Sequence, residues 1–161
     1  MKAAVLTVSD RVSRGEAEDG SGRVLEELLL ADGFEVIRML VADEQEAIAR
    51  AIVALAEDAS LVISTGGTGL AARDVTPEAT RSVLERQAPG IEEAIRADSI
   101  SKTPHGLLSR AAAGTIGSTL VVNLAGSPGA CRDGYAVLRP ALTHALNLLA
   151  DQRTATDHVH T

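Results

Sequence analysis

LVISTGGTGLAARDVTPEAT, residues 61–80, is a strand, a glycine-rich turn and a helix start in one run. Residues 61–65 are apolar and partly β-branched, the composition of a buried strand. Gly66, Gly67 and Gly69 then allow a sharp turn in which backbone amides come close to an anion that any Cβ would hold away. Thr76 has the position of an N-cap, Pro77 suits the first turn and Glu78 suits the positive end of the helix dipole, so the pattern predicts a helix from about Pro77 to Gln87.

The same alternation extends in both directions. AAVLTV at 3–8, FEVIRMLV at 34–41 and STLVVNL at 118–124 read as further strands. SGRVLEELLLADG places Leu25, Leu28 and Leu29 on one helical face, with Gly33 as its terminating glycine, and DEQEAIARAIVALAED repeats Ala47, Ile48, Ala51, Ile52 and Leu55 at three- and four-residue spacing. A helix from Pro89 to Ser101, a loop containing TPHG and a last helix from Pro128 to about Ala150 complete the pattern; Pro140 should kink that last rod. Strands separated by helices of this length pair in parallel through crossovers. The expected fold is therefore α/β: a three-layer helix-sheet-helix sandwich with a mostly parallel sheet, one domain over 1–150 and a polar, frayed tail over 151–161.

Composition narrows the function. The 161 residues carry 15 Lys and Arg against 22 Asp and Glu, a net charge of −7 that repels a phosphate backbone, and only 1% are aromatic, which removes base-stacking platforms; nucleic acid is not an expected partner. No window reaches membrane-spanning length and no signal peptide forms at the N-terminus, so the expected location is cytoplasmic. Cys131, the single cysteine, excludes an intrachain disulfide and reads as a small buried hydrophobe.

Parallel strands deliver their C-terminal ends to one edge, where ligands bind. The first delivers Ser9 and Asp10, followed by DGSG at 19–22; the second, Asp43; the third, Gly66, Gly67, Thr68 and Gly69 with Arg73 and Asp74; the fourth, Ser127, Pro128 and Gly129, where Ser127 would cap the last helix and leave its amides as a second anion site. The glycine stretch lacks the P-loop lysine and the dinucleotide-binding spacing. Asp10, Asp43 and Asp74 crowding a phosphate site call for a cation, and Mg²⁺, held by one or two carboxylates and substrate phosphates, fits. Plainer readings stand beside these: Asp43 as the N-cap of its helix, Asp10 as a carboxylate serving its own turn, Ser127 and Pro128 as a helix start, Lys102 and Arg110 as solvated charges, His105 as a loop residue, and His158 with His160 as a tail pair.

The motifs TGGTGLAARDVTPEAT, SDR, DGSG, DEQEAI and LLSRAAAGTIGSTLVVNLAGSPGA together resemble the molybdopterin-binding fold of molybdenum cofactor biosynthesis proteins, of the MogA and MoaB type and the gephyrin G domain. The resemblance runs from Ala3 to about Leu149; Leu70 and Ala125 stand where many relatives carry proline. It implies a molybdopterin adenylyltransferase, with molybdopterin and ATP as substrates and Mg²⁺ as cofactor. The family's two important aspartates fall on Asp43 and Asp74, the catalytic and metal-holding pair. Gly66 to Gly69 and Ser127 to Gly129 would hold phosphates, and Ser109 would meet the pterin. It also implies a homo-oligomer, trimer or hexamer, and makes a molybdate-inserting enzyme a candidate partner. The rival readings are a molybdopterin-binding protein that consumes no ATP, and a nucleotide-binding regulator that uses Asp10 and Asp74 without a pterin.

Overall fold

A computed structural model describes residues 1–157. The elements in chain order are β1 (Lys2–Val8), α1 (Asp10–Ser13), α2 (Gly20–Ala31), β2 (Glu35–Val41), α3 (Gln45–Asp58), β3 (Leu61–Thr65), α4 (Thr76–Val83), β4 (Arg86–Gln87), α5 (Pro89–Lys102), a 3-10 helix (Pro104–Leu108), β5 (Ala113–Ile116), β6 (Thr119–Leu124) and α6 (Pro128–Asp157). One sheet holds all six strands in the order β2-β1-β3-β6-β5-β4. The first four are mutually parallel, β5 runs antiparallel to β6, and β4 runs antiparallel to β5 and so along with the first four, the mostly parallel sheet the sequence predicts.

Alternation along β1 divides the core. Ala3 and Val5 point to the layer of α2 and α6, against Leu25, Leu29, Tyr135 and Leu142. Ala4, Leu6 and Val8 point to the other layer, against Ile48, Ile52 and Leu55 of α3 and Ala79 of α4. Each fully buried Leu or Ile removed from water contributes about 1.5–3 kcal/mol, so the sheet is clamped from both faces mainly by aliphatic side chains, with Tyr135 as the one buried aromatic among the described residues. Because β2 and β3 lie on opposite sides of β1, strand order reverses there, and the crevice rule places a ligand at the C-terminal ends of β1 and β3.

Four sequence expectations change. The helix expected to reach Gln87 stops at Val83: Leu84 turns extended, and the N–H groups of Glu85 and Ala88 donate to the carbonyls of Thr115 and Ala113, making Arg86–Gln87 an edge strand. Its partner β5 lies where the sequence pattern shows no strand, yet Ile116 pairs with Thr119 across Gly117 and Ser118, a two-residue hairpin with Gly117 at φ +52°. The TPHG segment is a 3-10 helix capped by the Thr103 hydroxyl, which accepts from the His105 N–H at 3.3 Å. The last helix continues past Asp151 to Asp157 as one element despite Pro140, because Tyr135 and Leu138 before it and Leu142 and Leu146 after it are all buried in the same core. His158 and His160 lie outside the described residues.

Candidate functional site

The reversal point is a cleft of about 580 Å³ whose wall includes Ser9, Asp10, Asp19, Asp43, Gly66, Gly67, Asp74 and Pro128. The ends of β1, β2 and β3 thus deliver Asp10, Asp43 and Asp74 to one place, as the edge argument expected.

Asp10 and Asp43 lock to each other through the backbone. The Asp43 Oδ2 accepts the Asp10 N–H at 2.8 Å, and the Asp10 Oδ1 accepts the Asp43 N–H at 3.0 Å. Asp43 is therefore not the N-cap of α3, which starts after Glu44 with no side-chain cap. Arg73 closes over Asp10, donating from Nε at 2.5 Å and from Nη2 at 3.0 Å. That guanidinium holds the Asp10 carboxyl below the usual carboxylate range. Asp43 moves the other way: burial pushes its carboxyl up, and the negative charges of Asp10 and Asp74 push it further.

The glycine turn is folded back by Thr76, which opens α4 rather than capping it. Its hydroxyl donates to the Gly66 carbonyl at 2.9 Å and its N–H to the Gly67 carbonyl at 3.1 Å. Gly67 has φ +67°, and a Cβ there would collide with the Thr76 hydroxyl and come within 3.0 Å of the Asp43 Oδ1, so a glycine is required on both counts. Asp74 Oδ2 accepts the Ala71 N–H at 3.0 Å, which fixes the carboxylate at the end of the same turn. The Gly66 N–H is taken by the Leu124 carbonyl, so the cradle begins at Gly67.

The remaining expected residues divide. Ser9 lines the cleft and its hydroxyl caps α1, accepting the Val12 N–H at 3.1 Å. Thr68 and Gly69 leave the wall, and both of their carbonyls accept from Arg110. Ser127 caps α6 as expected, its hydroxyl accepting the Ala130 N–H at 3.1 Å. With Gly129 and Ser109 it lines a second cavity, of about 290 Å³, set apart from the cleft. One edge therefore carries two neighbouring pockets, with the 125–128 turn contributing to both. Cys131 is buried below that turn, and burial pushes its thiol up to about 11, the inert hydrophobe expected.

Three participants escaped sequence reading. Asp19 caps α2 through the Gly22 N–H at 2.9 Å, accepts the Thr7 hydroxyl at 2.7 Å and pairs with Arg38, which fixes the DGSG segment along the cleft wall. Asn123, buried in β6, donates to the Ser64 and Thr80 hydroxyls at 2.8 and 2.9 Å and accepts the Ala112 N–H at 3.0 Å, tying β3, β6 and α4 together beneath the glycine turn. Arg110 reaches the turn from the opposite side. Only the DGSG spacing carried a signal for any of these; the Ser64 and Thr80 partners of Asn123 and the turn held by Arg110 lie dozens of residues away.

The donor set is compatible with Mg²⁺. Asp43 is a partly desolvated carboxylate pushed up by its neighbours, a state that a hard cation relieves. Among the described residues no group of three or more His, Cys, Asp and Glu side chains gathers to enclose a metal. Also among the described residues, no helix is long and apolar enough to cross a membrane.

Comparison with known proteins matches residues 4–144 to the family described as "probable molybdopterin binding domain". The chain belongs to this molybdopterin-binding family. Its fold superposes on the MoaB molybdopterin biosynthesis enzyme of Thermus thermophilus with a TM-score of 0.86 and 42% identity, covering 92% of this chain and 95% of that one. The molybdopterin biosynthesis Mog protein of Mycobacterium ulcerans superposes with a TM-score of 0.88 at 38% identity, over 92% of this chain and 98% of that one. In sequence, the molybdopterin adenylyltransferase of Helicobacter pylori J99 is 37% identical over 150 residues, 90% of this chain and 85% of the relative. Both the resemblance drawn from the motifs and the three-layer fold are thereby established for nearly the whole chain.

Proposed function

We propose that the chain is a molybdopterin adenylyltransferase: the terminal phosphate of molybdopterin attacks the α-phosphorus of ATP, the bond to the β-phosphate breaks, and pyrophosphate leaves. The observation that carries this reading is the Asp10, Asp43 and Asp74 cleft with Gly67 packed against Asp43, a site acidic enough to need a cation and open enough to take phosphates. The name of the Helicobacter pylori relative supports it.

In this reading Asp43 and Asp74 hold Mg²⁺, and Asp10 fixes Asp43 by the reciprocal backbone bonds. Bound there, Mg²⁺ supplies charge neutralisation along the triphosphate. Gly67 presents backbone to the phosphates, and the capped start of α6 at Ser127 offers amides on the neighbouring side, so the two pockets would receive the two substrates. Ser109, in the second pocket, is placed to meet the pterin. Leu70, Leu107 and Leu108 expose apolar surface, which a homo-oligomer would cover.

The test is pyrophosphate release from Mg-ATP by the native chain, with and without molybdopterin. Release that depends on molybdopterin supports the transferase. Tight molybdopterin binding with no release would overturn it in favour of a binding protein of the same pathway, and nucleotide binding indifferent to molybdopterin in favour of a regulator.

A further inference from the structure

The turn that carries Gly67 and Asp74 is built largely from glycine, alanine and exposed residues, and it runs from Gly66 to Val75 between β3 and α4 with little packing of its own. Such a segment moves unless something outside it fixes it. Thr76 fixes the first part. The part from Thr68 to Asp74 is tied to the rest of the chain at two places: the Arg73 side chain pairs with Asp10, and the backbone at both ends of the turn is taken by Arg110. Arg110 donates from Nε to the Gly69 carbonyl at 2.8 Å and from Nη2 to the Asp74 carbonyl at 2.7 Å, and its own N–H donates to the Thr68 carbonyl at 2.9 Å. Its third guanidinium nitrogen pairs with Glu78 in the first turn of α4. One planar fork thus spans the two ends of the 69–74 turn and anchors to the helix that follows.

Arg110 is itself immobilised. Arg96 of α5 donates to the carbonyls on either side of it, Ser109 at 2.9 Å and Ala111 at 3.0 Å. Arg110 is only about one-third exposed, and its guanidinium contacts on the turn are to backbone carbonyls, so what it specifies is the shape of the turn. A lysine has one compact ammonium and lacks the rigid fork needed to hold two carbonyls in fixed relation.

We infer that Arg110 is a positioning residue for Asp74: it touches no reacting atom and acts by clamping the 69–74 turn so that the Asp74 carboxylate faces the cleft in one place. The inference rests on the transferase reading for its catalytic consequence and on geometry alone for the clamp.

Two readouts on Arg110→Ala, Arg110→Lys and Glu78→Gln test it. In amide hydrogen exchange of the full chain, both Arg110 variants should speed exchange across residues 67–75 by at least tenfold and leave β1, β3 and β6 unchanged. In molybdopterin-dependent pyrophosphate release, both should lower kcat at least tenfold, with methylguanidinium restoring part of the rate to Arg110→Ala and none to Arg110→Lys. Glu78→Gln, which keeps the carbonyl clamps, should stay within twofold of the native chain in both. Native-like exchange in Arg110→Ala, native-like rate in Arg110→Lys, or a loss in Glu78→Gln equal to that in Arg110→Ala would each overturn the clamp. If the native chain itself releases no pyrophosphate, the transferase reading falls, and the exchange comparison still decides the role of Arg110.

Discussion

The two ends of the sheet treat their carboxylates in opposite ways. At the N-terminal edge, Asp32 accepts the Tyr135 hydroxyl at 2.7 Å and two N–H groups of Arg139 at 2.8 and 2.7 Å, and the guanidinium with the phenol holds its carboxyl below the usual range. At the C-terminal edge, Asp43 is desolvated beside Asp10 and Asp74 and its carboxyl is pushed up. The N-terminal edge even has the larger cleft, about 700 Å³ against about 580 Å³, yet its Asp32 is satisfied by tyrosine and arginine. On the proposed reading size does not mark the site; like charge does, since Asp43 is desolvated beside two carboxylates at the place where a cationic ligand would answer it.

The contrast breaks first under charge removal. Asp43→Asn and Asp74→Asn should each lower molybdopterin-dependent pyrophosphate release at least about 100-fold, since losing a ligand exceeds the 10–100-fold typical of losing its outer support. Asp32→Asn, at the other end, should leave the rate within about twofold.

Two glycines sharpen it next. Gly67 and Gly33 both have positive φ, at +67° and +85°, but a Cβ on Gly33 meets nothing within 4 Å whereas on Gly67 it meets Thr76 and Asp43. Both alanine variants carry a backbone penalty of about 1–2 kcal/mol, measurable by urea unfolding. Only Gly67→Ala should also lose activity, by at least about tenfold; equal activity in both variants would mean the cradle is not used.

Stability follows at a smaller scale. Asp32→Ala removes the tie between the end of α2 and α6 and should cost about 1 kcal/mol in the same unfolding measurement, with activity unchanged.

The smallest effect is in the pH dependence. Because the folded state lowers the Asp32 carboxyl, its contribution is present above the ordinary Asp range and fades as pH falls through the folded value, so Asp32→Ala should flatten the loss of stability in acid. Asp43 has the reverse sign. Its folded carboxyl is raised, so stability is lost as pH climbs past the ordinary Asp range, and ionised Asp43 weakens the metal-free fold at neutral pH.

Much of this was legible in the sequence because it is local. The four parallel strands announce themselves as apolar runs, Ser127 and Pro128 start α6 where capping chemistry places them, and the glycines of 66–69 mark the turn. The carboxylates were found because strand ends in a parallel sheet share an edge. What stayed hidden depends on long-range geometry. Asp43 looked like a helix cap until the Asp10 backbone claimed it, and Arg110 looked solvated until the turn from Gly69 to Asp74 was seen folded against it. Strand β5, AGTI, has weak strand composition, and its identity comes from pairing with β6; the Gly117-Ser118 dipeptide between the two was the available hairpin signal.

Thermal unfolding of the native chain and Asp43→Asn at neutral pH, each with and without Mg-ATP, tests most directly whether the C-terminal edge is held in unrelieved charge for a bound cation. Asparagine keeps the side-chain oxygen that accepts the Asp10 N–H and removes the charge. The account predicts that Asp43→Asn melts higher than the native chain when both are free of ligand, and that Mg-ATP raises the native Tm while leaving that of the variant nearly unmoved. A variant that melts lower than the native chain and gains as much from Mg-ATP would contradict it.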